Sequence, residues 1–131
     1  MVSNYIKQRL DDLGIENIIT RNTDRTLTDE ERVRIIETMY GLDDNVVVIS
    51  NHINKGGSSG VEIIYSLRND DNFASLISKQ IESVGGKVNK YYQLRDPKNT
   101  ANDFYYLINN TPNYETVMIE YVSSAAAAAT A

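Results

Sequence analysis

The first part of the chain alternates apolar and polar residues at the spacing of helices. The positions 2, 5, 6, 10 and 13 are apolar and share one helical face, and Gly14 follows as a helix-ending residue, so the pattern predicts a helix over 3–13. A β-branched run over 15–20 predicts a short strand. Thr28 and Glu31 then have the spacing of a capping box, and the apolar positions behind them predict a second helix that ends at Gly41.

The next apolar run, 45–49, is continuous rather than alternating. A continuous run is typical of a strand that is covered on both faces, so we expect it to lie in the middle of the sheet. A loop is predicted over 50–60. Asn69, Asp70 and Asp71 introduce another helix, whose apolar face continues to Val84 and which Gly85 ends.

The second half of the chain contributes the remaining strands. Two strands are well defined by the pattern, at 61–67 and 116–122, and two weaker ones lie on either side of a polar loop over 96–103, at 88–94 and 104–108. A turn is predicted over 109–113. Strands that alternate with helices predict an α/β fold with a mostly parallel, twisted sheet flanked by helices on both faces. Sites in such sheets open at the carboxyl ends of strands.

Length and composition fit one globular domain. The 131 residues are 41% hydrophobic and 24% charged, which argues against disorder and against a membrane span. The low-complexity alanine tail, 125–131, is set apart from a single domain over 1–124. A net charge of -5 disfavours nucleic acid as a partner. Because the chain has no cysteine, any metal would have to be bound by histidine and carboxylates. Residues 1–13 do not show the pattern of a signal peptide.

Two residues stand out as candidates for chemistry. His52 is the only histidine and follows the predicted central strand, although a lone loop histidine more often has no special role. Glu120 interrupts an apolar strand, where a buried carboxylate needs a partner, a metal or a raised pKa. The alternative for Glu120 is a solvated face near a sheet edge.

Two other patterns are weaker. The glycine-rich segment 55–60 precedes a strand rather than a helix, so it predicts a flexible turn at a cleft rim and not a phosphate loop. Four tyrosines, at 91, 92, 105 and 106, could stack on sugars, but paired aromatic residues in strands are more often divided between core and surface.

Four short motifs together resemble one enzyme family. They are Thr20-Arg21-x-x-Asp24, Ser50-x-His52-x-Asn54, Gly60-x-Glu62-x-x-Tyr65 and Val117-x-Ile119-Glu120. In this order and spacing, over 4–121, they resemble the zinc-dependent N-acetylmuramoyl-L-alanine amidases of the amidase-3 type, in versions from low-GC Gram-positive bacteria or their phages. Such enzymes are peptidoglycan hydrolases of the cell wall, endolysins included, so the resemblance implies a cell-wall or extracellular location.

The resemblance also implies a reaction and residue roles. The reaction is hydrolysis of the amide between the lactyl group of N-acetylmuramic acid and L-alanine, by water that zinc activates. His52 matches the last zinc ligand of the family and Glu120 its catalytic carboxylate, a general base. Asn54 is assigned to orienting the substrate-binding loop, whereas Arg21 and Asp24 shape the end of a strand.

The sequence departs from the family pattern at both ends. The family's first strand, with a zinc-binding histidine, and the glutamate of its first helix have no match here, and neither Glu16 nor Glu62 replaces them by motif. The resemblance is therefore to an N-terminally truncated amidase, and we expect this chain alone to be inactive and to bind no zinc at micromolar affinity. A partner chain or a second copy could supply the missing strand. The alternative function is a catalytically inactive amidase-like module that serves peptidoglycan binding or assembly.

Overall fold

The computed structural model describes residues 2–21, 23–43, 45–54 and 59–122. The helices and strands, in chain order, are α1 (Val2–Asp12), α2 (Asp29–Tyr40), β1 (Val47–Ile53), β2 (Val61–Tyr65), α3 (Asn72–Ser83), β3 (Val88–Tyr92), β4 (Arg95–Asp96), β5 (Asn99–Asp103), α4 (Tyr106–Asn110) and β6 (Glu115–Tyr121). Residues 55–58 of the segment predicted to be a flexible turn, and the alanine tail, lie outside the described residues. Within the described part of the chain, no helix combines the length and the apolar character that crossing a membrane requires.

Four strands form the main sheet in the order β1-β6-β2-β3. β1 is parallel to β6 and β2 is parallel to β3, whereas β2 and β6 are antiparallel. The sheet is therefore mostly parallel, and the predicted α/β fold is confirmed. The carboxyl ends of β1 and β6 meet at one edge of the sheet, and those of β2 and β3 meet at the opposite edge.

Each face of the sheet has its own apolar layer. On one face, Ile63 of β2 and Val117 of β6 pack against Ala74 of α3, and all three are fully buried. On the other face, Ile64 and Met118 pack against Ile108 of α4. The alternation of side chains along β2 and β6 thus places α3 on one face and α4 on the other.

The prediction that β1 lies in the middle of the sheet is wrong. Among the described strands it lies at one end of the sheet, and β6 and β2 occupy the centre. Its Val47 and Ile53 are 48% and 58% exposed, whereas Val117 and Ile119 of β6 are buried. A run of β-branched residues favours a strand, but it does not fix the place of that strand in the order.

Three other local predictions were wrong. Residues 15–20 form no strand, because the Asn17 side chain donates to the Ile15 carbonyl and to Asp11 and so folds this segment back on α1. The predicted strand over 104–108 is largely the helix α4. The predicted loop over 96–103 contains most of the β4–β5 hairpin.

Candidate functional site

His52 and Glu120 lie side by side on neighbouring strands. They are paired in the register of the parallel strands β1 and β6, so both side chains leave the same face of the sheet. Adjacent strands are about 4.8 Å apart, which places the two residues within reach of one small group. β1 runs to Ile53, so His52 belongs to the strand itself and not to the predicted loop.

The pairing continues across the whole sheet. Glu120 faces Glu62 in the antiparallel register of β6 and β2, and Glu62 faces Lys90 of β3. We call these four residues, His52, Glu120, Glu62 and Lys90, the charged row. The Lys90 Nζ atom is 4.0 Å from Glu62 Oε1, and it lies 4.1 Å from the centre of the Tyr92 ring. The row thus carries a histidine at one end and a cation at the other.

A hydrogen bond to Ser50 holds the His52 ring. Ser50 lies two residues earlier on the same face of β1, and its Oγ atom is 2.7 Å from His52 Nε2. Although part of the residue is open to solvent, burial of the ring lowers the pKa of His52, and the positive charge of Arg32 lowers it further. The opposing charges of Glu120 and Asp29 are weaker influences, so the ring favours the neutral form, which is the form that binds metals.

Two tyrosines, Tyr92 and Tyr105, interact electrostatically with Glu120. Burial raises the pKa of Tyr92 to about 12, and the charges of Glu62 and Glu120 add to the effect. Burial and the charge of Glu120 also raise the pKa of Tyr105. Both phenols therefore stay protonated at neutral pH, and the Tyr92 side chain is hydrogen-bonded to Glu62.

The other tyrosine candidates lie elsewhere. Tyr91 is one residue from Tyr92 on β3 and so leaves the opposite face, and Tyr106 is 41% exposed on α4. Only one tyrosine of each predicted pair is next to the charged row, as the division between core and surface implies.

The remaining motif residues are placed differently. The backbone N–H of Asn54 donates to the Tyr121 carbonyl over 2.7 Å, which continues the β1–β6 pairing beyond His52. Arg21 lines a separate cleft of about 230 Å³ together with Arg25 and Ile35, and no residue of the charged row lines it. The structure thus brings together His52 and Glu120 and separates Arg21 from them.

The described residues do not by themselves make a complete zinc centre. Within 2–21, 23–43, 45–54 and 59–122 there is no group of three or more histidine, aspartate or glutamate side chains arranged to hold a metal ion. They supply the imidazole of His52 with the carboxylate of Glu120 beside it, and a tetrahedral zinc site needs further protein ligands.

Sequence comparison places this chain in an enzyme family. The family model described as N-acetylmuramoyl-L-alanine amidase matches residues 1–130. The chain therefore belongs to the N-acetylmuramoyl-L-alanine amidase family, and the resemblance found in its motifs is confirmed. No curated protein matches the chain.

Two solved structures have a similar fold. One is the catalytic domain of CwlV, an N-acetylmuramoyl-L-alanine amidase from Bacillus (Paenibacillus) polymyxa var. colistinus, with a TM-score of 0.66 and 22% identity over 88% of this chain and 59% of that one. The other is Cwp6 from Clostridium difficile, with a TM-score of 0.67 and 28% identity over 85% of this chain and 18% of that one. This chain thus spans less than two thirds of either structure, and the likeness to CwlV is one of fold.

Proposed function

We propose that the protein containing this chain is a peptidoglycan hydrolase that cleaves the amide between N-acetylmuramic acid and L-alanine. The observation that carries the proposal is the pairing of His52 with Glu120 on one face of the sheet, in a chain of the amidase family. A peptidoglycan substrate implies that the protein acts at the cell wall or outside the cell.

In this proposal, His52 is one ligand of a catalytic zinc ion and Glu120 is the general base. When bound, zinc would make a water molecule acidic enough to lose a proton near neutral pH. Glu120 would accept a proton from the attacking water and would later give it to the departing amine of L-alanine. Ser50 keeps the His52 ring oriented, Tyr92 is hydrogen-bonded to Glu62, and the protonated Tyr105 offers a hydrogen bond near the Glu120 carboxylate. Asn54, which follows β1, contributes to substrate binding.

The role of Glu120 is testable in the protein from the complete reading frame that contains these residues. We expect Glu120→Gln to lower the release of stem peptides from purified peptidoglycan by about 100-fold or more, because a positioned general base contributes that much. Glu82→Gln is the matched control, since Glu82 is exposed at the end of α3 on the other face of the sheet, and it should keep full activity. Equal release by wild type and Glu120→Gln would rule out this role.

The 131-residue chain alone is expected to behave differently. Because the described residues contain no set of three metal donors, we infer that the chain binds zinc more weakly than micromolar and releases no stem peptides by itself. Zinc content after dialysis checks this. One zinc per chain retained after dialysis would overturn this expectation.

A second candidate is a module of the amidase family that binds peptidoglycan without cleaving it. The observation that favours it is the lack of a three-donor metal group within the described residues. It predicts that the protein from the complete reading frame sediments with peptidoglycan and releases no stem peptides even with added zinc. A further strand from a second chain, beside β1 at the end of the described sheet, would be compatible with either candidate.

A further inference from the structure

We propose that Lys90, at the far end of the charged row, binds a carboxylate of the peptide part of the substrate. The inference rests on the proposed function, because it assigns the direction in which the peptide leaves the amide that is cleaved. Lys90 belongs to none of the four family motifs, and it is brought to Glu120 only by the fold.

A bulge in β3 turns Lys90 toward the site. Val61 of β2 pairs with Val88, but the next residue, Glu62, pairs with Lys90, so Asn89 is an extra residue in β3. Bulges of this kind redirect the side chains that follow them and are common beside active sites. Here the shift places Lys90 on the same face as Glu62 and Glu120.

Gly60 packs closely against the bulged residue. A Cβ atom at position 60 would lie 2.9 Å from Cγ of the Asn89 side chain and 3.1 Å from the Lys87 carbonyl oxygen. A larger residue at position 60 would therefore require the Asn89 side chain to move. The position of Lys90 itself is set by the register shift between β2 and β3.

The ammonium group of Lys90 is both held and accessible. Its Nζ atom is 4.0 Å from Glu62 Oε1 and 4.1 Å from the centre of the Tyr92 ring, while the Lys90 side chain is 56% exposed. The Glu62 side chain is only 17% exposed, so the ion pair with Lys90 lies on the buried side of the ammonium group. A lysine has three donor hydrogens, and those that point to solvent can bind an anion. In a chain with a net charge of -5, a positioned cation is the group that offsets repulsion of a carboxylate.

The spacing fits a short peptide. Lys90 is two strands from Glu120, which is about 10 Å at the usual strand separation. An extended peptide covers about 3.3 Å per residue, so about three residues span this distance. In the proposed reaction the nitrogen of the cleaved amide belongs to the first residue of the peptide. The peptide therefore runs away from Glu120 toward its own terminal carboxylate, which reaches Lys90 along the charged row.

Binding of a synthetic probe to the 131-residue chain tests this without any turnover. The probes are N-acetylmuramoyl tripeptides that begin with L-alanine and end in either a free carboxylate or an amide, and NMR titration gives the Kd. We expect Lys90→Gln to weaken binding of the free acid by about threefold to tenfold, as for a partly exposed ion pair, and to leave binding of the amide unchanged. Lys79→Gln, the same change on α3 at the other face of the sheet, should alter neither Kd.

Two further measurements distinguish loss of the Lys90 charge from loss of folding. Lys90→Arg should retain most of the preference for the free acid, and the thermal midpoint of each variant reports whether it is folded. Equal loss of binding for acid and amide, no loss at all, or no binding of either probe by the wild-type chain would overturn the proposal. Failure of the protein from the complete reading frame to release stem peptides would instead overturn the proposed function, and the binding comparison between the Lys90 variants would still be interpretable.

Discussion

The partly buried carboxylate of Glu115 lowers the stability of the folded state at neutral pH. Among the described residues, its Oε1 atom is the buried side-chain oxygen or nitrogen that has no hydrogen-bond partner. Burial raises the pKa of Glu115, the negative charge of Asp70 raises it further, and the positive charge of Arg68 opposes both. The residue begins β6, the strand that carries Glu120.

This cost depends on pH. Because the pKa of Glu115 is higher in the folded state than its usual 4.5, the folded protein binds more protons than the unfolded chain above that pH, and stability falls as the pH rises through this range. We therefore expect Glu115→Gln to be more stable than wild type at pH 7 and to lose that advantage near pH 4. Urea unfolding at both pH values measures the difference. Glu82→Gln, an exposed change, should alter stability by less than about 0.5 kcal/mol, and an unfavourable effect of Glu115→Gln at pH 7 would contradict the argument.

At the scale of the elements, the ends of two helices could be predicted from the sequence, whereas the pairing of the strands could not. The N-cap bond of the predicted capping box is present, since Thr28 Oγ1 accepts from the Glu31 backbone N–H over 3.1 Å and α2 begins at Asp29. The bounds of α3 likewise follow from its flanking aspartates and from Gly85. By contrast, α4 is a helix because both Leu107 and Ile108 are buried there, which a short apolar run cannot reveal.

Likewise, some residues of the site could be predicted from the sequence and others could not. Motif spacing pointed to His52 and Glu120, and the parallel register of β1 and β6 pairs them. Glu62 belongs to a family motif but had no predicted role, and Lys90 belongs to no motif. Their places beside Glu120 depend on the strand order β1-β6-β2-β3 and on the bulge at Asn89. Strand order and bulges arise from contacts between distant parts of the chain, and the hydrophobic pattern of each strand is compatible with several orders.

The cap of α2 gives a prediction at this scale. Thr28→Ala removes the acceptor for the Glu31 N–H, and we expect it to lower the free energy of unfolding by about 1 kcal/mol. Thr38→Ala is the matched control. The Thr38 hydroxyl donates to the Arg34 carbonyl within the same helix, over 2.7 Å, and its removal should cost less than about 0.5 kcal/mol. Equal losses for the two variants would mean that the cap does not stabilise α2.

At the scale of the whole molecule, Arg68 joins the segment after β2 to the connection between α4 and β6. Its Nε atom donates to the Tyr114 carbonyl over 3.0 Å and its Nη1 atom to the Ile108 carbonyl over 2.6 Å. Its Nη2 atom donates to the hydroxyls of Thr111 and Thr116, over 2.6 and 2.7 Å. One guanidinium thus holds in place the approach to β6, and with it the strand on which Glu120 meets both His52 and Glu62.

Replacing this guanidinium should destabilise the whole fold. Arg68→Lys keeps the charge but replaces the planar guanidinium with one nitrogen that has three hydrogens, so at least one of the four acceptors loses its donor. At about 1.5 to 3 kcal/mol for each lost bond to a charged donor, we expect the free energy of unfolding to fall by about 2 kcal/mol or more in urea titrations. Arg95→Lys is the control, because the Arg95 Nη1 atom donates to the exposed Thr100 carbonyl and its loss should cost less than about 1 kcal/mol. If the two variants were equally stable, the position of β6 would have to depend on its strand pairing alone.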